Sequence, residues 1–226
     1  MTAVFVTATG TDIGKTFVTA ALIRHMRANG RTVEAVKPVV TGFDPAMAAT
    51  SDPGVLLTAL GRPTSLEEIA KISPWRYRAA LAPDMAAHRE GSPLDFAALA
   101  EFSLRAVLTR RDVLLLEGVG GVMAPLDDGH TMLDWMKTLR LPVILVAGSY
   151  LGTISHTLTA LAALTRNELT VPTVVVNETE GSSVPLADTV DTIARFVQPT
   201  NVLGVPRVAG GAAGVSAFDG MFAGAH

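Results

Sequence analysis

Residues 9 to 16 read Thr9-Gly10-Thr11-Asp12-Ile13-Gly14-Lys15-Thr16, and they end in the Gly-Lys-Thr of a phosphate-binding loop. An apolar run over residues 3–6 precedes this stretch, and a helix-like run over residues 17–26 follows it. In the order strand, tight loop and helix, backbone N–H groups at the start of the helix converge on phosphate oxygens. In such a loop Lys15 brings a charge to the β- and γ-phosphates, and the Thr16 hydroxyl ligates magnesium. The stretch predicts a nucleotide site, although Thr9 replaces the first glycine of the usual pattern.

Short runs rich in Val, Ile and Leu alternate with helical stretches along the rest of the chain. The predicted strands cover residues 4–7, 32–36, 113–116, 143–146, 173–176 and 202–205. The predicted helices cover residues 15–28, 95–108, 153–165 and 185–196. Nearly continuous apolar strands between helices are typical of a parallel sheet that is covered on both faces. We therefore predict a single doubly wound, mainly parallel α/β sheet flanked by helices, as in P-loop NTPases.

The chain is expected to form one domain over residues 1–226. Residues 38–94 are richer in Pro, Ser and Gly, which predicts a long excursion with short helices of the kind that often carries ligand loops. Residues 209–226 are rich in Gly and Ala and are predicted to be a loosely ordered tail. The sequence shows no internal repeat.

The composition excludes several classes of protein. Hydrophobic residues make up 49% and charged residues 17%, which is a globular and not a disordered composition. The net charge of −3 gives no basic excess for nucleic acid, and the absence of cysteine excludes disulfides and thiol chemistry. The sequence has neither a leader-like start nor an apolar run of bilayer length. We expect a cytoplasmic protein with neither nucleic acid nor membrane as its partner.

Two further charged residues follow predicted strands. Lys37, in Lys37-Pro38-Val39, stands at the carboxyl end of a strand, the edge at which ligands bind in open α/β sheets. A second lysine there can contact the same phosphates as Lys15, whereas the alternative is a solvated lysine at a strand end. Glu117 follows three leucines and precedes Gly118, so it is a candidate magnesium ligand, with a turn-capping carboxylate as the alternative.

Four other features leave two interpretations each. Asp12 is a candidate site carboxylate or a turn residue, and Asp52 is a candidate site carboxylate or a helix cap. Residues 148–156 follow a strand and lead into a helix, which suits an anion site or a simple turn capped by Thr153. Asn177 can donate and accept hydrogen bonds at the edge of a nucleobase, or it can be a left-handed turn residue.

In this order along the chain, the motifs resemble those of dethiobiotin synthetases, which act near the end of biotin synthesis. The resemblance runs from residue 7 to residue 177 and therefore covers most of the chain. It rests on residues 7–16, on Lys37-Pro38-Val39 with Thr41-Gly42, on Glu117-Gly118-Val119-Gly120-Gly121 with Pro125-Leu126, and on residues 141–146 followed by Leu151-Gly152-Thr153-Ile154. Each motif alone is moderately specific, and the ordered set is much more so.

The resemblance implies a ligase that uses 7,8-diaminononanoate, carbon dioxide, Mg²⁺ and ATP or another nucleoside triphosphate. In that family a carbamate forms on one amine, and its oxygen attacks the γ-phosphate to give a carbamic–phosphoric anhydride. The second amine then closes the ring, and dethiobiotin, nucleoside diphosphate and phosphate are released. The resemblance also implies a homodimer with its active sites at the interface.

The resemblance implies a role for individual residues as well. Catalytic roles fall on Lys37, Lys15 and Asp12, and the magnesium neighbourhood on Thr16, Asp52 and Glu117. The nucleotide would be bound by Gly10, Thr11, Asp12, Ile13, Gly14, Lys15, Thr16, Phe17, Asp52, Glu117, Gly118, Val119, Gly120, Asn177, Pro206, Arg207 and Val208. The diamine substrate would be bound by Thr41, Lys37, Tyr150, Leu151, Gly152 and Thr153, of which the amides of residues 151–153 would come from the second subunit.

The sequence departs from the family at two places. Asp12 stands where the family often has Glu, which shortens the reach of the carboxylate. The segment after Pro206 has no obvious polar contact for a base, so the choice of nucleotide base is open.

Three rival interpretations remain. A switch ATPase of the MinD/ParA type would carry a signature lysine where Gly10 stands. The synthetase domain of a cobyrinate-type amidotransferase would need a glutaminase region with a cysteine. A non-catalytic binding module would leave Lys37 and Glu117 unexplained.

Overall fold

The computed structural model describes residues 2–207 and Phe218, and a parallel sheet forms its centre. Its strands, in chain order, are β1 (Thr2–Ala8), β2 (Val33–Val36), β3 (Val39–Val40), β4 (Trp75–Arg76), β5 (Val113–Glu117), β6 (Val143–Gly148), β7 (Thr173–Asn177) and β8 (Asn201–Val205). Six of them form one sheet in the order β2-β5-β1-β6-β7-β8, and β3 and β4 form a separate pair. Each pairing between these strands is parallel, which confirms the predicted fold class.

Helices connect the strands. They are α1 (Lys15–Ala28), a 3₁₀ helix (Pro45–Thr50), α2 (Asp52–Leu60), α3 (Leu66–Ile72), α4 (Pro83–Glu90), α5 (Phe96–Thr109), α6 (Met132–Leu139), α7 (Thr153–Arg166) and α8 (Leu186–Phe196). The six predicted strands of the main sheet and the four predicted helices are all present, with ends shifted by one or two residues. Helix α6 was not predicted, because its eight residues make only two turns.

The central strands are buried along their whole length. All five residues of β5 and all six of β6 are buried, as expected for a sheet with helices on both faces. Helix α6 packs Trp135 edge-on against Phe5 of β1, with the ring centroids 5.0 Å apart. The buried indole N–H of Trp135 donates to the Ser103 hydroxyl of α5 at 3.1 Å. These contacts fix the strand ends from which the site loops emerge.

The excursion over residues 38–94 contains the short helices that were predicted, together with the β3–β4 pair that was not. The pair is two residues long, too short to produce a strand pattern in the sequence. It brings the end of α3 back to Lys37, whose backbone N–H donates to Ile72 O and whose carbonyl accepts from the Ser73 hydroxyl at 2.6 Å. The excursion therefore packs the Lys37 backbone against the sheet.

The described residues contain no helix that is long and apolar enough to cross a membrane. The predicted loose tail over residues 209–226 lies outside the described part of the chain, except for Phe218. That side chain is buried, and its ring centroid lies 6.1 Å from that of His25 on α1.

Candidate active site

The phosphate loop connects β1 to α1 at the carboxyl edge of the sheet. Gly14 precedes the helix with φ 95°, a left-handed conformation that favours glycine. A Cβ on Gly14 would lie 2.2 Å from the side-chain amide nitrogen of Asn177, so space also requires a glycine. Asp12 is left-handed too, with φ 57°, a conformation in which Asp and Asn are enriched among residues other than glycine. The loop is thus shaped by its own glycine and by a residue 163 positions further on.

Lys37 lies at the centre of a group of charged and polar side chains. We call this group the ionic cluster, and it consists of Lys15, Thr16, Lys37, Asp52 and Glu117. The Lys37 ammonium is 2.7 Å from Glu117 Oε1 and 2.8 Å from Asp52 Oδ2. The Thr16 hydroxyl donates to the same Glu117 Oε1 at 2.6 Å. Because Lys37 is only 2% exposed, the interpretation as a solvated lysine is wrong.

Asp52 is the first residue of α2 and does not cap that helix. Ser51 is the cap, since its hydroxyl accepts a hydrogen bond from the backbone N–H of Gly54. The Asp52 carboxylate faces Lys37 instead, and its interpretation as a helix cap is wrong.

Within the cluster, Lys15 has a different environment from Lys37. Its ammonium donates to the backbone carbonyls of Gly120 at 2.8 Å and Gly10 at 3.2 Å. Burial first, and then the neighbouring positive charge of Lys37, lower the pKa of Lys15 to about 8. Lys15 is therefore the lysine of the site that titrates within the range of ordinary assays.

The charges of Lys37 and Asp52 support each other. Burial alone would lower the pKa of Lys37, but the carboxylates of Glu117 and Asp52 outweigh burial, and the pKa is raised. Burial would likewise raise the pKa of Asp52, and the Lys37 charge outweighs it, so that this pKa is lowered. At neutral pH the cluster accordingly holds a cationic Lys37 and an anionic Asp52.

The oxygen atoms of the cluster suit a magnesium ion. Glu117 Oε2 is buried and accepts no hydrogen bond from any described residue. The Asp52 carboxylate contacts the Lys37 ammonium, and the Thr16 hydroxyl donates to the Glu117 carboxylate, so these oxygen atoms lie close together. Mg²⁺ in nucleotide sites takes one or two carboxylates and completes its octahedron with water and phosphate oxygens. Since the described residues contain no cluster of three or more His, Cys, Asp or Glu, phosphate oxygens would have to supply the missing ligands.

Two adjoining cavities open at this edge of the sheet. The smaller, of about 340 Å³, is lined by the loop, the two lysines, Phe17 and Asp52. The larger, of about 810 Å³, extends between the loop, residues 80–83, residues 119–124 and one side of α7. The residues that line both cavities are Thr11, Asp12, Thr41, Val119 and Gly120. A ligand in the larger cavity can therefore reach the groups that line the smaller one.

Asn177 supports the phosphate loop. Its side-chain amide donates to the carbonyl of Ile13 at 3.1 Å, immediately before Gly14. It lies at the end of β7 and does not have a left-handed backbone, so its interpretation as a left-handed turn residue is wrong. One N–H of the side-chain amide is therefore used by the loop, and the second N–H and the carbonyl oxygen remain for other contacts.

The segment after β8 contacts the loop after β7. Pro206 and Arg207 are exposed, and the Arg207 side chain pairs with Glu180 at 2.9 Å. The Arg207 backbone N–H donates to Glu178 Oε2 at 2.7 Å. The predicted contact of Val208 lies outside the described residues.

The turn at residues 149–152, which we call the α7 turn, faces outward. Leu151 is 90% exposed, and Gly152 has φ 97° directly before α7. The Thr153 hydroxyl donates to Gly148 O and does not cap the helix. Tyr150, Leu151 and Gly152 line neither cavity of their own chain, so any substrate contact they make is made elsewhere on the surface.

Two features of the site were not anticipated from the sequence. His156 lines the larger cavity and holds the Tyr150 hydroxyl with its Nδ1 at 2.9 Å, a contact between residues six apart that a helix start makes possible. A Cβ on Gly118 would lie 2.3 Å from Met132 Cε and 3.0 Å from Phe5. Gly118 therefore packs closely against the first residue of α6, a helix that the sequence pattern did not show.

A parallel sheet with a Gly-Lys-Thr loop before α1 and a carboxylate at the end of the neighbouring strand defines a P-loop nucleotide-binding protein. The family model described as AAA domain matches residues 2–209. Curated relatives named ATP-dependent dethiobiotin synthetase are 45% identical in Acidiphilium cryptum, over 87% of this chain and 88% of the relative, and 47% identical in Methylobacterium nodulans, over 86% and 89%. The chain belongs to the dethiobiotin synthetase family.

Solved structures with a similar fold come from other P-loop proteins. Chloroplast FtsY from Physcomitrella patens aligns with a TM-score of 0.54 and 15% identity, over 96% of this chain and 63% of that one. MinD from Aquifex aeolicus aligns with a TM-score of 0.53 and 13% identity, over 92% and 83%. Identities this low show a shared fold and carry no support for the rival interpretation as a switch ATPase.

Proposed function

We propose that this chain is an ATP-dependent dethiobiotin synthetase that converts 7,8-diaminononanoate and CO₂ into dethiobiotin, with release of ADP and phosphate. The observation that carries the proposal is the pair of buried lysines at the phosphate loop, next to a cavity large enough for an aliphatic diamine. The family relationship supports the same reaction.

The lysines suit a reaction in which every partner is an anion. A carbamate on one amine, the γ-phosphate and the leaving diphosphate repel one another, so bringing them together needs cations that are already in position. Lys15 is anchored at the start of α1 and Lys37 at the end of β2, on two sides of the smaller cavity. We assign both to the reacting phosphoryl group.

The amide groups at the start of α1 and in the loop add oriented dipoles to these charges. Gly14 has no side chain that could block its approach to phosphate, and the residue before it is held by Asn177. The phosphates are therefore assigned to the backbone N–H groups of residues 10–17, in the loop and at the start of the helix. Asn177, Pro206 and Arg207 are assigned to the side of the base.

Magnesium would be held by Thr16, Asp52 and Glu117, together with phosphate oxygens. When bound, the ion would neutralise phosphate charge as the phosphoryl group is transferred. The chain's own contribution is to fix the two carboxylates: Glu117 by burial at the end of β5, and Asp52 by its position in the first turn of α2.

The diamine is assigned to the larger cavity. Its walls include Leu81, Val122 and Ala160, which suit a methylene chain, and Thr41 lies where the two cavities meet. In this pose the amines face the lysines, and Asp12, which is short and held in a left-handed turn, is close enough to the shared wall to orient an amine.

We assign the far end of the substrate to the α7 turn of a second copy of the chain. The turn carries Leu151 at 90% exposure, and Met123, which lines the larger cavity, is 57% exposed, so both offer apolar surface to a partner. A homodimer would cover this surface and bring backbone amides to the substrate carboxylate. The dimer and its amide site rest on this surface and on the family relationship.

The test is product formation. The protein is incubated with ATP, Mg²⁺ and bicarbonate, with and without 7,8-diaminononanoate, and both phosphate and dethiobiotin are measured, the latter by mass. We expect phosphate release that depends on the diamine and matches the dethiobiotin formed. Slow phosphate release that does not depend on the diamine would contradict the proposal and would favour a switch ATPase.

A further inference from the structure

Lys37 makes contacts that a divalent cation would also make. Its ammonium lies between Glu117 Oε1 and Asp52 Oδ2, at 2.7 and 2.8 Å, and the first of these oxygens also accepts from Thr16. These three residues are the ones that suit magnesium. One ammonium group therefore already occupies an oxygen of each carboxylate on which the metal would depend.

Burial makes this arrangement exclusive. The side chain of Lys37 is 3% exposed and that of Glu117 is 0% exposed, so neither charge is screened by water. Two cations cannot share Glu117 Oε1 at close range without strong repulsion in such surroundings, whereas Asp52, with a side chain 48% exposed, is open to water. The ammonium must move away, or the metal must take other oxygens, such as the free Glu117 Oε2.

A bound triphosphate would attract the Lys37 ammonium away from the two carboxylates. The smaller cavity is lined by Lys15, Lys37 and Asp52 together, so phosphate oxygens there would attract both ammonium groups. The Lys15 ammonium, by contrast, donates to two neutral carbonyls, those of Gly10 and Gly120, and has no ion pair among the described residues. Negative charge brought by phosphate thus changes the balance at Glu117 and Asp52 in favour of a metal.

We propose that Lys37 is an internal competitor of the divalent metal ion: its ammonium occupies Glu117 Oε1 and Asp52 Oδ2 until a nucleotide draws it toward the phosphates. The metal then enters with the nucleotide and not before it. The inference rests on the assignment of nucleotide and metal to this cluster under the proposed function, and it adds an order of binding and a second role for Lys37.

The experiment measures Mn²⁺ binding to the full chain without nucleotide, by electron paramagnetic resonance of the free ion. The variants are Lys37→Gln, which removes the charge, and Lys37→Arg, which keeps it. The matched surface control is Lys137→Gln, whose side chain is 46% exposed on α6. We expect Lys37→Gln to bind one Mn²⁺ at least roughly tenfold more tightly than wild type. Lys37→Arg and Lys137→Gln should bind as weakly as wild type.

A second readout uses stability, because Lys37→Gln leaves Glu117 buried without its cation and should lower the melting temperature. Mg²⁺ alone should restore much of this loss in Lys37→Gln and should leave wild type unchanged. Adding Glu117→Gln to Lys37→Gln should abolish both the Mn²⁺ binding and the rescue. A Lys37→Gln protein that gains neither Mn²⁺ affinity nor stabilisation by Mg²⁺ would overturn the inference, even if the wild type makes dethiobiotin.

Discussion

The ionic cluster and the α7 turn lie at the same edge of the sheet, yet they are built in opposite ways. In the cluster every charged group is buried or paired within one chain: Lys37 with two carboxylates, and Lys15 with two carbonyls. The α7 turn exposes Leu151 at 90% and contributes nothing to either cavity of its own chain. We therefore propose that a single chain preorganises the groups for the phosphoryl chemistry, and that the turn acts at the site of a second copy of the chain.

The largest effect is expected from the centre of the cluster. In Lys37→Ala, turnover should fall at least ~100-fold, the scale of losing one preorganised charge at a transition state, while nucleotide affinity stays roughly intact. Steady-state kinetics with the diamine and titration calorimetry with nucleotide measure the two quantities. Lys137→Ala is the surface control, and near-normal kcat in Lys37→Ala would refute its catalytic assignment.

Lys15 should affect binding first. Replacement by Ala removes a charged contact to phosphate, and such contacts contribute about 1.5–3 kcal/mol, which corresponds to roughly 10–100-fold in affinity. Calorimetry with ATP measures this directly, and circular dichroism checks that the variant is folded. An unchanged dissociation constant would show that Lys15 stays on the carbonyls of Gly10 and Gly120 when nucleotide binds.

The α7 turn is tested by Leu151→Asp, which places a charge on the proposed interface. We expect the dimer to dissociate at micromolar concentration and KM for the diamine to rise by about tenfold, with nucleotide affinity unchanged. The matched control is Leu108→Asp on α5, where the native side chain is 81% exposed on another helix. Analytical ultracentrifugation decides the question: a fully active monomer would exclude the dimeric site.

The smallest expected effect is the uptake of a fraction of a proton by Lys15 when nucleotide binds. The pKa of Lys15 is lowered to about 8, so near pH 8 about half of these side chains are neutral. A bound phosphate favours the charged form and raises this pKa, so nucleotide binding should take up about half a proton at pH 8 and close to none at pH 6.5. Calorimetry in buffers of different ionisation enthalpy measures the uptake, and its persistence in Lys15→Ala would assign the proton to another group.

The lowered pKa of Lys15 also determines how the free energy of unfolding changes with pH. Lys15 binds its proton more weakly in the folded chain than in the unfolded one, so the unfolded state binds more protons between about pH 8 and the ordinary lysine value of 10.5. Over that interval the contribution of this group to the free energy of unfolding rises with pH. Below pH 8 both states are protonated, and the burial cost of the charge is carried in full.

The sequence by itself determined the six strands and four helices of the main α/β unit, because periodicity and apolar runs are local signals. It also determined the phosphate loop and the family, since both are written in contiguous motifs. It did not show α6 or the β3–β4 pair, each of which is too short for a pattern to emerge.

The tertiary structure decided what the motif residues contact. Only the fold brings the carboxylates of Asp52 and Glu117 within 3 Å of the Lys37 ammonium, although Glu117 lies 80 positions after Lys37 in the chain. Only the fold brings the Asn177 amide to the carbonyl of Ile13 and packs α6 closely against Gly118. The physical reason is that burial, charge compensation and space are properties of neighbours in three dimensions, and those neighbours are distant along the chain.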